Sequence, residues 1–157
     1  MVERREKAFG KAMRLLSSRE RSAVEIQQRL RQEGYDAETV HVTLDRLQSS
    51  GLQDDRRFAE GVAASSIRSR GLASRVIQSD LRRRGIDKEL AARAATRSPE
   101  EEEQTARALA QKRAGQLSGY PRDVQVRRLG SFLARRGYGA ELCASLVEEA
   151  LGPPARD

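Results

Sequence analysis

One pattern occurs three times along this chain, and few folds can accommodate it. An apolar residue, a second four positions on, a glycine four further and an apolar residue directly after it appear as Ile26, Leu30, Gly34 and Tyr35. They appear again as Ile77, Leu81, Gly85 and Ile86, and again as Leu129, Leu133, Gly137 and Tyr138. The glycines lie 51 and then 52 residues apart, and an amphipathic stretch follows each: Val40, Leu44 and Leu47, then Leu90 and Ala94, then Leu142 and Leu146. The first copy holds one extra residue between its glycine and its next apolar anchor. Regular self-similarity at this period is the signature of a repeat architecture.

Each copy reads as three helices. Positions i and i+4 share a helix face, so the pair before each glycine points to a core. The glycine closes the last turn in the left-handed conformation that a side chain disfavours. Start signals agree: Ser22-Ala23-Val24-Glu25 has the form of a capping box, Asp87 can cap the helix carrying Leu90, and Ser98-Pro99-Glu100-Glu101 sets a cap, a proline and then acids. Asp54 or Asp55 can cap the helix with Phe58 and Val62. The periodicity predicts helices over 7–18, 22–33, 37–50, 55–69, 74–84, 87–97, 99–117, 122–136 and 140–151. No useful β alternation occurs. The expected fold is all-α, three tandem three-helix repeats (nine helices) in an elongated, curved array, with repeats at 1–51, 52–97 and 98–151 and a disordered tail at 152–157.

Composition fits thin cores: 38% apolar, 34% charged, no Trp and three each of Phe and Tyr. No segment approaches the roughly 20 apolar residues of a membrane span. The start, Met1-Val2-Glu3-Arg4-Arg5-Glu6, lacks the apolar heart of a signal peptide. The lone Cys143 has no partner for an internal disulfide, so a cytoplasmic location is expected. A monomer is expected too, since three stacked units leave no evident apolar seam.

Little here suggests catalysis. There is no phosphate-cradling GxxxxGK[ST] loop, HExxH or CxxC. One His and one Cys do not make a metal site. His41 reads as a surface position and Cys143 as a small core residue. Asp54-Asp55 suits capping better than acid–base work, and Glu100 to Glu103 reads as a solvated first turn. No enzyme activity, catalytic residue, metal or cofactor is expected.

The arginines stand out. The net charge of +7 is uneven: residues 52–97 hold eleven basic against six acidic groups, while residues 98–157 hold nine of each. Arg68, Arg70, Arg75, Arg82, Arg83 and Arg84 face a single acid, Asp80, across residues 68–84. Arg135 and Arg136 stand just before the third glycine. Guanidinium groups in such a row can bind phosphates or carboxylates in a bidentate way, and cations at helix C-termini also offset the dipole. These eight arginines are the candidate partner-binding residues. Most of the aromatics, Phe58, Phe132, Tyr35 and Tyr138, occupy core positions, which argues against a stacking reader of single strands.

Several stretches taken together resemble the RecX regulatory proteins over nearly the whole chain. They are Ala12-Met13-Arg14-Leu15-Leu16 with Arg19-Glu20-Arg21-Ser22; Gly51-Leu52-Gln53-Asp54-Asp55-Arg56-Arg57-Phe58-Ala59; Leu81-Arg82-Arg83-Arg84-Gly85-Ile86; and Phe132-Leu133-Ala134-Arg135-Arg136-Gly137-Tyr138. Gly71-Leu72-Ala73 departs where a second glycine is expected, and Tyr138 stands for a commoner Phe. The resemblance implies a tandem three-helix protein that binds the RecA filament on DNA and restrains its growth, ATP hydrolysis, strand exchange and co-protease action. DNA, single- or double-stranded, is a further expected partner. The alternative is a sequence-independent DNA-binding protein acting without RecA.

Overall fold

The computed structural model describes residues 1–154, and among them nine α-helices follow one another without a strand. They are α1 (Val2–Ser18), α2 (Ala23–Gln32), α3 (Ala37–Ser49), α4 (Asp55–Arg70), α5 (Ser74–Arg83), α6 (Lys88–Ala95), α7 (Pro99–Gln116), α8 (Arg122–Arg135) and α9 (Ala140–Leu151). Two ends differ from expectation. The first helix starts at Val2, not residue 7, because contacts outside its own apolar period hold the charged leader: Arg4 donates to the Gly34 carbonyl at 2.6 Å and Arg5 to Glu38 at 2.7 Å. The sixth stops at Ala95, and Arg97 beyond it turns inward, its side chain 10% exposed, to donate to the Leu72 carbonyl at 2.8 Å and the Thr105 hydroxyl at 3.1 Å.

The chain forms two compact units: residues 1–63 with 78–94, and residues 64–77 with 95 onward. Helices α4 and α5 contribute residues to both.

In the first unit, α1, α2 and α3 pack pairwise around Ala12, Ile26, Leu30, Val40 and Leu47. Phe58, Leu81, Ile86 and Ala91 are buried as well. Each buried Leu or Ile contributes about 1.5–3 kcal/mol of apolar burial. Asp54 caps α4, accepting from the Arg56 and Arg57 N–H groups at 2.9 and 3.2 Å. Its neighbour Asp55 instead accepts from the Ala23 N–H at 2.8 Å and the Gln53 side-chain amide at 2.8 Å, tying the start of α4 to the start of α2. Gly85 (φ +90) lies so close to Val24 that a Cβ there would overlap it.

In the second unit, α7, α8 and α9 pack pairwise around Ala106, Ala110, Leu117, Leu129, Leu133, Tyr138, Cys143 and Leu146. Cys143 is a core residue, as its neighbours in sequence imply. Ser98 and Glu101 form a complete capping box at the start of α7. The Ala73 N–H donates to the Arg136 carbonyl at 2.9 Å, and Gly137 (φ +99) abuts Val76. The hydroxyl that distinguishes Tyr138 from phenylalanine donates to the Gly71 carbonyl at 2.6 Å. Burial pushes this phenol's pKa up. The expected tail is held at its start: Arg122 donates to the carbonyls of Leu151 at 3.2 Å and Gly152 at 2.5 Å. Residues 155–157 of that tail lie outside the described residues.

Candidate functional site

The eight sequence-selected arginines fall into two groups. Arg82, Arg83 and Arg84 belong to the first unit; Arg68, Arg70, Arg75, Arg135 and Arg136 belong to the second.

The first group meets the α2 N-terminus. The Ser22 hydroxyl accepts from the Glu25 N–H at 3.1 Å and donates to the Arg84 carbonyl at 2.6 Å. Only half of the expected capping box forms, because the Glu25 carboxylate is drawn away by arginines. Arg19 approaches it at 2.5 Å and Arg84 at 3.4 Å, and the Glu25 side chain is 16% exposed. Burial pushes the Glu25 carboxyl up, but the hydrogen bond from Arg19 and the charges of Arg84 and Arg19 outweigh it, so it sits below the usual range. Arg21 joins this cluster; burial, then the Arg19 charge, lowers its pKa, and Glu25 partly offsets them. Arg84 also lies over the Phe58 ring at 4.7 Å. It is therefore a structural residue. Arg83 pairs with Asp80 at 3.1 Å on the surface, while the Arg82 side chain is exposed and without a hydrogen bond or ion pair among the described residues.

In the second group Arg136 rests on Phe132, with Arg70 and Arg135 close enough for their charges to act on it. Arg136 lies over the Phe132 ring at 3.6 Å and donates to the Arg70 carbonyl at 3.1 Å and the Phe132 carbonyl at 3.2 Å. Arg113 lies over the same ring at 5.3 Å. Burial, then the charges of Arg135, Arg70 and Arg113, lowers the Arg136 pKa. No carboxylate lies within ion-pair distance of Arg70, Arg113, Arg135 or Arg136 among the described residues. Arg70 and Arg135 are exposed, with side chains that bond to nothing described, and so is Arg68. The buried Arg113 Nε has no acceptor among the described residues. Arg75 is committed to the Gly137 carbonyl at 2.5 Å. Sequence reasoning missed Arg113 because its only local mark is a basic residue in the last turn of α7. Its meeting with α8 is tertiary.

Among the described residues no group of His, Cys, Asp and Glu could hold a metal ion, and no helix is long and apolar enough to cross a membrane. His41 is exposed. An apolar groove of about 650 Å³ runs between α8 and α9, lined by Val126, Gly130, Ala134, Ala140, Ala144 and Val147 among others. The helical period predicts no such seam, because the short residues Gly130, Ala134, Ala140 and Ala144 leave no apolar mark in the sequence.

Three family models match in order. RecX, first three-helix domain, covers residues 8–47; RecX, second three-helix domain, covers 54–94; and RecX, third three-helix domain, covers 100–147. The chain is 40% identical over 150 residues to the regulatory protein RecX of Amycolatopsis mediterranei, covering 95% of this chain and 86% of that one. This chain belongs to the RecX family. It is also 40% identical over 140 residues to the regulatory protein RecX of Thermobifida fusca, covering 88% and 76% of the two chains. The crystal structure of RecX from Lactobacillus salivarius superposes with a TM-score of 0.79 at 19% identity, covering 96% of this chain and 98% of that one, so the fold is a RecX fold.

Proposed function

We propose that this RecX-family chain is a regulator that binds the RecA filament on DNA and inhibits its extension, ATP hydrolysis, strand exchange and co-protease activity. It acts as a cytoplasmic monomer, by occupancy and not by catalysis. The observation that best supports a binding surface is the arginine cluster about Phe132, with which no carboxylate among the described residues forms an ion pair. Guanidinium groups left in this state gain from an external anion, which Arg can engage through several donors at once. Arg70 and Arg135 are the exposed members and make the contact; Arg113 and Arg136 set the field behind them. Arg82 and Arg68 are secondary contacts.

The test is steady-state ATP hydrolysis by the cognate RecA on single-stranded DNA, titrated with this protein. Inhibition well below one copy per RecA protomer supports the reading and favours blocked filament growth over groove coating. Unchanged hydrolysis with intact filaments by electron microscopy overturns it. The same cluster would also suit phosphates of naked DNA, which makes DNA binding without RecA the second reading. Tight binding to naked DNA whose logarithm falls steeply and linearly with that of salt concentration, without effect on RecA, would favour it.

A further inference from the structure

Tyr120 is the aromatic that packing does not explain. Among the phenylalanines and tyrosines it alone is exposed, at 45%, in the connection between α7 and α8. That connection is a closed turn. The Tyr120 N–H donates to the Leu117 carbonyl at 3.0 Å, and the Gln125 side-chain amide donates to the carbonyls of Tyr120 at 2.9 Å and Ser118 at 3.3 Å. Arg128 lies over the ring at 4.4 Å and makes no hydrogen bond or ion pair among the described residues.

The third repeat departs from the other two here. Relative to its turn glycine, α8 begins one turn earlier than α2 and α5 do, and the added turn supplies Gln125. Nine residues before the glycine the first two repeats carry Glu25 and Val76; the third carries Arg128. Positions i, i+3, i+4 and i+7 share a helix face, so Arg128, Ser131, Phe132 and Arg135 form one stripe of α8. Arg128 and Arg135 are exposed on it, about 10 Å apart along the helix axis, and Arg136 and Arg113 lie over Phe132 beside them. Residues 104–140 hold eight basic groups and a single acid, Asp123. That carboxylate stands about 140° round the helix from Arg128 and pairs with none of these arginines.

We propose that this face of α8 holds a single strand of nucleic acid, with one base stacked on Tyr120 and the backbone phosphates drawn along Arg128 and Arg135. A ring backed by a guanidinium gives a planar base a fixed place to lie, and the unpaired arginines beyond it give phosphates several donors. A duplex keeps its base faces stacked inside and away from Tyr120. An acidic peptide would use the arginines and not the ring. The proposal rests on the reading that the arginines about Phe132 take an outside anion, and it names that anion as the phosphodiester of a single strand.

The experiment measures fluorescence anisotropy of two fluorescein-labelled strands with the full chain. Both are about 12 nucleotides long, within the span that single-strand grooves cover. One is oligothymidylate; the other is its abasic counterpart, which keeps the phosphates and lacks the bases. The parent should bind the thymidylate about tenfold more tightly, the scale of one base stacked on an aromatic ring. Tyr120→Leu should lose that preference and Tyr120→Phe should keep it, with both binding the abasic strand as the parent does. Arg70→Gln with Arg135→Gln should weaken both strands alike. Equal binding of the two strands by the parent, or a preference that survives in Tyr120→Leu, would overturn the proposal. So would displacement of the thymidylate by oligoglutamate as readily as by unlabelled thymidylate, since charge alone would then account for the surface. The RecA ATPase titration keeps the two readings apart. Inhibition by a parent that binds both strands equally removes the base contact and leaves the proposed function standing; base-dependent binding without inhibition does the reverse.

Discussion

The two arginine clusters occupy equivalent places, each built on the arginine just before a turn glycine, yet they resolve their charge differently. At Gly85 the preceding Arg84 rests on Phe58 and reaches Glu25; at Gly137 the preceding Arg136 rests on Phe132 and reaches only carbonyls. The carbonyls of both arginines are used alike, one accepting from the Ser22 hydroxyl and the other from the Ala73 N–H. Dipoles and a ring face can orient a guanidinium, but they do not cancel its charge. The first cluster is thus closed within the molecule, whereas the second is held in place with no described carboxylate paired to it.

If both turns hold their clusters by close packing, the largest effect should come from the glycines themselves. Gly85→Ala and Gly137→Ala each combine a disfavoured positive φ with overlap on Val24 or Val76, for about 3 kcal/mol together. In a chain of this size that corresponds to a fall in Tm of roughly 6–12 °C. Gly34 (φ +87) has open space where its Cβ would sit, so Gly34→Ala should cost only about 1 kcal/mol. Thermal melts of the three variants check this, and equal losses would mean that the close approach to the valines is irrelevant.

The next effect separates the clusters directly. Glu25→Gln leaves Arg19, Arg21 and Arg84 around a site with no carboxylate, and should destabilise by about 2 kcal/mol in urea denaturation. Glutamine cannot supply the missing charge. A loss below about 0.5 kcal/mol, the range of ordinary surface changes, would show that the first cluster needs its carboxylate no more than the second does.

How much of this could be read beforehand depended on range. The three-helix repeats were legible because Ile26/Leu30, Ile77/Leu81 and Leu129/Leu133 express a local period, and each glycine marks a local stop. Asp54 and Ser98 cap as their positions imply. Asp55 and Glu25 do not, since Asp55 is taken by the Ala23 N–H, 32 residues away, and Glu25 by Arg19 before its helix and Arg84, 59 residues on. The arginine row was visible as composition, but sequence had no means of sorting Arg84 and Arg136, which hold the turns, from Arg70 and Arg135, which remain free. Arg113 joined only through the packing of α7 on α8. The groove was invisible for the same reason: Gly130 and Ala134 are unremarkable until they face Ala140 and Ala144.

That sorting gives a functional contrast of smaller energy. Arg70→Gln with Arg135→Gln removes two exposed charges that bond to nothing described, so stability should stay within about 0.5 kcal/mol. Inhibition of RecA should weaken about tenfold, equivalent to about 1.4 kcal/mol. Arg84→Gln should do the reverse, lowering Tm with little direct effect on inhibition by the folded fraction. Half-inhibiting concentrations from the ATPase titration, measured well below each variant's Tm, distinguish the two. Undiminished inhibition by the double variant would remove the second cluster as a principal contact.

The smallest effect is a pH dependence that only the first cluster can have. The folded-state pKa of Glu25 lies below its unfolded value, so the folded protein holds this proton less tightly than the unfolded chain does. Its stabilising contribution is therefore fully present above the unfolded pKa of about 4.3, and it is lost as pH falls through the folded value. Arg136 is shifted down as well, but arginine stays charged throughout the range in which a protein is handled, so its cluster adds no slope. Stability measured by urea denaturation from about pH 6 to pH 3 should fall for the parent, and Glu25→Gln should fall less steeply over the same interval. Other carboxylates contribute to both curves, so the difference between them isolates Glu25. Parallel curves would mean that Arg19 and Arg84 bind the neutral carboxyl as well as the charged one, which would undo the distinction between a closed cluster and an open one.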